Sequence, residues 1–126
     1  MVYTLEFLRA PHPDKEDPSA GFAYVIRLSG NFVLDVTEEF QLLFKTLLTG
    51  GMRKVALDLT ELKYIDSTGI GAVIAAAKQT RTQGGDLVMV GLSGKIQEIV
   101  SLVKLGEFIP TFGDLRQVTK HFFPGA

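Results

Sequence analysis

Two short, unbroken apolar runs constrain the fold more than anything else in the chain: Val55-Ala56-Leu57, continued by Leu59, and Leu87-Val88-Met89-Val90. Each is too short for a helix and suits a strand covered on both faces, as the strands of a parallel sheet are. Between them Ile70, Val73, Ile74 and Ala77 recur at the helical spacing, and Gly84-Gly85 supplies a C-terminal stop. Residues 55–90 therefore predict a strand at 55–59, a turn ending in Ile65-Asp66-Ser67-Thr68-Gly69, a helix, and a strand at 87–90. The hydroxyls of Ser67 and Thr68 fall at the helix N-terminus.

The flanking sequence fits around this unit. Tyr3, Leu5 and Phe7 alternate with Thr4 and Glu6, which reads as a half-buried strand. Residues 10–21, with Pro11, Pro13 and Pro18 among Asp14, Lys15, Glu16 and Asp17, read as an exposed loop. Phe22, Tyr24, Ile26 and Leu28 give a second strand antiparallel to the first, ended by Gly30-Asn31. Asp35 or Thr37 can cap a helix carrying Phe40, Leu43, Phe44 and Leu47, which Gly50-Gly51 closes. After the central unit, Ser93 is the expected N-cap of a helix with Ile96, Ile99, Val100 and Val103, stopped by Gly106. Phe108-Ile109 reads as a short edge strand before Pro110. Asp114 caps a last helix whose Leu115, Val118 and Phe122 face inward. The order β-β-α-β-α-β-α-β-α predicts one α/β domain spanning 1–126, with about four helices, a mostly parallel central sheet and an antiparallel N-terminal hairpin edge.

Composition narrows the function. At 126 residues the chain can bury roughly two thirds of its unfolded surface. A net charge of −1 with no basic block argues against nucleic acid as the partner. Absence of cysteine excludes disulfides, thiolate metal sites and cysteine nucleophiles. His12 and His121, far apart in sequence, read as a loop and a helix-end residue, so neither metal nor cofactor is expected. The N-terminal residues lack the features of a signal peptide, and the longest apolar stretch, 70–77, is far too short to span a bilayer. A cytoplasmic location without membrane insertion is expected.

Chemistry concentrates at 66–69. The first turn of a helix leaves N–H groups unpaired and carries partial positive charge, so it favours anions. A hydroxyl there can cap the helix. If phosphorylated, it gains close to two negative charges beside donors that can meet them. On the tetrapeptide alone plain capping is the simpler reading. A serine nucleophile would need a histidine and an acid, and neither His12 nor His121 is placed to serve Ser67. Asp58, Glu61 and Asp66 carry no signature of paired acid–base carboxylates, and Asp58 reads as a strand-end residue. Glu38-Glu39 favour the dipole of their helix. Lys78 and Arg81, a turn apart, read as a solvated face. Gly69 and Gly71 read as permitting close helix–strand packing.

Strand, turn, Asp66-Ser67-Thr68-Gly69, Gly71, a helix closed by Gly84-Gly85 and a further apolar strand together resemble the STAS domain. In particular they resemble the bacterial anti-sigma factor antagonists, over roughly 22–122. The resemblance implies a STAS-like fold and a phosphorylation-controlled, non-enzymatic switch. Ser67, directly after the motif aspartate, would be the phosphorylation site, with Thr68 the minor candidate. The unphosphorylated chain would bind an anti-sigma factor serine kinase, which carries its own ATP, and so free a sigma factor for transcription. Phosphorylation would release the kinase, and a serine phosphatase would reverse it. Asp66, Ser67, Thr68, Gly69, Gly71 and Asn31 form the implied partner-binding set, with Asp66 positioning the hydroxyl. Such antagonists commonly carry an acidic or polar residue soon after the glycine ending the second strand; here Gly30 is followed by Asn31-Phe32-Val33-Leu34 and the first acid is Asp35. The alternative is a constitutive STAS scaffold in a stress-signalling or transporter-associated complex, with Ser67 only a helix cap.

Overall fold

A computed structural model describes residues 2–10 and 21–124. The loop expected at 10–21, and with it His12, therefore falls largely outside the described residues. Strand β1 (Val2–Arg9) pairs antiparallel with the long β2 (Phe22–Phe32) in unbroken register from Val2↔Ser29 to Arg9↔Phe22. The hairpin is closed at its base by the Ala10 N–H donating to the Gly21 carbonyl at 2.7 Å. Helix α1 (Leu34–Thr49) leads to β3 (Lys54–Asp58), followed by β4 (Leu62–Ile65), α2 (Ser67–Thr82) and β5 (Asp86–Val90). Helix α3 (Gly94–Leu102), a single 3₁₀ turn (Leu105–Glu107), β6 (Thr111–Phe112) and α4 (Leu115–Phe122) complete the chain. The six-stranded sheet runs β1-β2-β3-β5-β6, with β4 on β2, and every pairing except β1–β2 is parallel.

The two apolar runs occupy the sheet centre. Val55, Ala56, Leu57, Leu87, Val88 and Met89 are fully buried. Alternation divides them between two cores. On one face Ile26, Leu28, Val55, Leu57, Leu87 and Met89 meet residues from α1, α2 and α3. On the other Ala23, Val25, Ala56, Val88 and Val90 meet Val118, Phe122 and Phe123 at α4. The buried stripe of α2 is built from small residues, Gly69, Ala72, Val73, Ala76, Ala77 and Thr80, which lets that helix lie close to the sheet. Ile70 and Ile74, expected inside, are only half-buried.

Several expectations need correction. Gly30-Asn31 does not end β2. Gly30 takes φ 87°, the register shifts there, and the strand continues to Phe32 by pairing with β4 instead of β3. The stretch read as a turn through Glu61, Lys63 and Tyr64 thus contains an added strand. Phe108-Ile109 is not a strand: Ile109 donates its N–H back to the Leu105 carbonyl, and pairing with β5 begins after Pro110, at Thr111. Ser93 is the N-cap of helix α3 as expected, though its side chain makes no cap hydrogen bond, and the helix stops at Leu102 with Lys104, not a glycine, in the left-handed region at φ 55°. Neither Asp35 nor Thr37 caps α1. Its N-cap position is Val33, and the Thr37 hydroxyl donates to the Leu34 carbonyl. Leu5 and Phe7 are exposed on β1, an edge strand, along which Tyr3 stacks on Phe40 and Phe7 makes an edge-to-face contact with Tyr24. Asp114 does cap α4, accepting the Gln117 N–H at 3.0 Å.

Candidate functional site

Helix α2 begins where β4 delivers the chain to the sheet end, and Asp66 is its N-cap. Its extended backbone, at φ −97° and ψ −177°, turns the carboxylate back over the first helical turn. Oδ1 accepts the Gly69 N–H at 2.8 Å and the Thr68 hydroxyl at 2.6 Å. Oδ2 reaches a different element and accepts the Leu34 N–H, the first of α1, at 3.1 Å. One carboxylate thus caps two parallel helices, which is why α1 needs no cap of its own. The Asp66 N–H donates to the Phe32 carbonyl, fixing the junction to the end of β2. The Thr68 hydroxyl foremost, then the Gly69 and Leu34 N–H groups, hold the Asp66 carboxyl below the usual carboxylate range, so it is ionised near neutrality.

Ser67 and Thr68 differ sharply in this setting. Thr68 is half-buried with its hydroxyl committed to Asp66. Ser67, the first residue of α2, is exposed, and its hydroxyl takes no hydrogen-bond partner among the described residues. Gly69 is buried where a Cβ would stand 2.4 Å from the Phe32 carbonyl oxygen and 2.8 Å from Ile65 Cγ1, so close packing demands glycine there. Gly71 carries no such demand: it is exposed, and a Cβ would meet nothing within 4 Å. Asn31, exposed just past the bulge, lies in register with Tyr64 of β4.

Residues that the sequence did not single out border the same edge. Leu34 is 64% exposed although its N–H is held by Asp66. Tyr64 is 40% exposed, with the Lys95 ammonium from α3 lying 5.4 Å from its ring centroid. They come from three separate elements, so no local pattern joins them.

The remaining candidates lie elsewhere. His121 Nε2 is 2.6 Å from Asp86 Oδ2. Asp86 opens β5 and pairs with Lys54 at the opposite end of the sheet from Ser67, so no histidine–serine couple forms among the described residues. Asp58 ends β3 in a different network, accepting from the Thr60 hydroxyl and N–H and from Arg27 Nε. Burial pushes the Asp58 carboxyl up, but Thr60 and Arg27 more than offset this and hold it below its ordinary value. Arg81 is exposed, as expected of a solvated face, and its guanidinium also lies over the Phe108 ring and donates to the Phe108 carbonyl. Among the described residues no group of His, Asp or Glu is arranged to hold a metal ion. No helix among them is long and apolar enough to cross a membrane.

A mostly parallel sheet with three helices on one face and one on the other, and a helix N-terminus presenting a free serine beside its capping aspartate, define a small α/β domain of the STAS type. A STAS domain family model matches residues 14–118, and the chain belongs to that family. It is similar to the anti-sigma-B factor antagonist of Listeria monocytogenes, 38% identical over 53 residues that make up 42% of this chain and 46% of that protein. The chain spans about half the length of such curated relatives in these matches. Among solved structures, TM1081 of Thermotoga maritima matches with a TM-score of 0.71 at 21% identity, covering 78% of this chain and 86% of that one. The unphosphorylated form of SpoIIAA, an anti-sigma factor antagonist of Bacillus, matches with a TM-score of 0.68 at 17% identity, covering 99% and 100%. At these identities the structures establish the shared fold.

Proposed function

We propose that this chain is an anti-sigma factor antagonist whose binding to an anti-sigma factor kinase is switched by phosphorylation of Ser67. The observation that carries the proposal is the contrast between the two hydroxyls. Ser67 Oγ is exposed and unpartnered at the helix start, while Thr68 Oγ is tied to Asp66. A kinase can therefore reach Ser67 without breaking a hydrogen bond, whereas Thr68 would first have to leave its cap. In the transfer, Ser67 Oγ forms a bond to the γ-phosphorus of the kinase-bound ATP. The bond to the ADP oxygen breaks, and the hydroxyl proton passes to a base on the kinase. The chain supplies only the acceptor and its position; a serine phosphatase restores the hydroxyl.

The phosphate acts at the interface. It joins the helix N-terminus, where N–H groups and partial positive charge accommodate it without refolding. Beside ionised Asp66 it brings the local charge close to minus three, on a surface bordered by Asn31, Leu34, Tyr64 and Gly71 that the kinase covers. Burying that charge costs on the order of 3 kcal/mol, roughly a 150-fold loss of affinity. The protein acts in the cytoplasm by protein–protein contact, without catalysis of its own. The test is to recover it from its native cell with its partners and map its phosphates by mass spectrometry. An anti-sigma factor kinase in the complex and phosphate on Ser67 are expected. Phosphate only at other positions, or a kinase that modifies Ser67→Ala equally well, would leave a constitutive scaffold.

A further inference from the structure

The opposite end of α2 carries a second surface. Between the last turns of α1 and α2 lies an open cavity of about 650 Å³, lined by Lys45, Leu48, Thr49 and Arg53 on one side and Lys78, Gln79, Thr82 and Gln83 on the other. No Asp or Glu occurs from residue 40 to 57 or from 67 to 85, so the charges these two segments bring to it are all positive. Arg53 is already engaged, its Nη1 donating to the Leu48 carbonyl in the last turn of α1 and to the Met52 carbonyl in the connection that follows. Lys45 and Lys78 are not: both are exposed and neither forms an ion pair among the described residues. Each stands a full turn before its helix end, on facing helices. This is more than a solvated face, because two unpaired cations flank one concavity whose floor includes the buried side chain of Leu48.

We infer that this groove docks an acidic peptide segment of a protein partner, with carboxylates on Lys45 and Lys78 and main-chain groups on the amides of Gln79 and Gln83. Charge complementarity selects an acidic occupant, and the concave shape with a partly apolar floor selects a peptide. A membrane surface is recognised by larger clusters on open faces, and a duplex by phosphate contacts along an extended track; neither matches a pair of lysines across a cleft. Lys78 lies eleven residues along α2 from Ser67, about 16 Å at the helical rise, so this site stays open in both states of the proposed switch.

The experiment is an NMR titration of the full chain with an end-blocked hexaglutamate peptide at low salt. Amide shifts should concentrate at Lys45, Thr49, Lys78, Gln79 and Gln83, leave Ser67 to Ile70 unmoved, and fade as salt is raised. Lys45→Glu/Lys78→Glu should keep the wild-type melting temperature and bind about tenfold or more weakly, as expected for two exposed charge pairs reversed together. Lys63→Glu, a charge reversal outside the groove, and Ser67→Asp should both titrate like wild type. Shifts scattered over the surface, an unchanged titration in the double variant, or an equal loss in Lys63→Glu would overturn the site. Binding of phosphatidylglycerol vesicles or a DNA duplex at these lysines, with no response to the peptide, would replace the peptide by that partner.

Discussion

Asp66 holds the site together and Ser67 is what it displays. Removing the Asp66 carboxylate frees the N–H groups of Leu34 and Gly69 at once, so Asp66→Ala should lower the melting temperature and speed hydrogen exchange at both amides. Unchanged exchange at Leu34 would mean that the shared cap is not what starts α1. The two glycines behind the motif should behave oppositely. Gly69→Ala places a methyl group against the Phe32 carbonyl and should cost on the order of 3 kcal/mol. Gly71→Ala meets open space and should stabilise α2 by about 1 kcal/mol, since alanine is the better helix former. Urea denaturation of the two variants decides this, and equal effects would remove the distinction. The sequence treated both glycines as packing residues because spacing cannot tell which one faces the sheet.

At the scale of elements, what was legible followed local pattern and what was missed depended on distant partners. The strands at 55–59 and 87–90, the helix between them and the Asp114 cap are all written in contiguous residues. Strand β4 is not: Leu62-Lys63-Tyr64-Ile65 is four residues with its polar pair in the middle, and it becomes a strand only because β2 bends at Gly30 to meet it. The start of α1 was misread for the same reason, its cap lying 32 residues away. At the end of β3, Arg27 joins β2 to Asp58 and to Glu6 on β1. Asp58 and Asp66 both titrate below the ordinary carboxylate value of about 4, so their stabilisation is present above that value and is lost as pH falls through their lower folded values. In Arg27→Ala, burial of Asp58 loses its cationic partner. Stability at neutral pH should drop by about 1–2 kcal/mol, and acid unfolding should begin at higher pH than in wild type. Melting curves from pH 2 to 7 that superimpose for the two proteins would exclude this role for the ion pair.

At the scale of the whole molecule, the parallel sheet sets two ends apart. The strand ends that lead into α2 carry the free serine beside its capping aspartate; the opposite end carries the lysine-flanked cleft. Both depend on the same core. Leu57, fully buried in β3 at the sheet centre, should not tolerate charge. Leu57→Asp buries a carboxylate without a partner, at a cost of several kcal/mol against a total stability of order ten, and should unfold the protein. A native melting temperature in that variant would contradict the central position of β3. The fold was legible because its core is patterned in short apolar runs. Of the candidate site, the tetrapeptide was legible in contiguous residues and Asn31 and Gly71 only through the family resemblance; Leu34, Tyr64 and Lys95 were not, since they assemble from separate elements. The central claim is that charge on Ser67 acts at an interface and leaves the fold intact. Calorimetric titration of wild type, Ser67→Ala and Ser67→Asp against the nucleotide-bound anti-sigma factor kinase tests it most directly. The account predicts that all three melt within a few degrees of one another, that Ser67→Ala binds about as tightly as wild type, and that Ser67→Asp, with part of a phosphate's charge, binds at least about tenfold more weakly. Equal affinities for wild type and Ser67→Asp would contradict it.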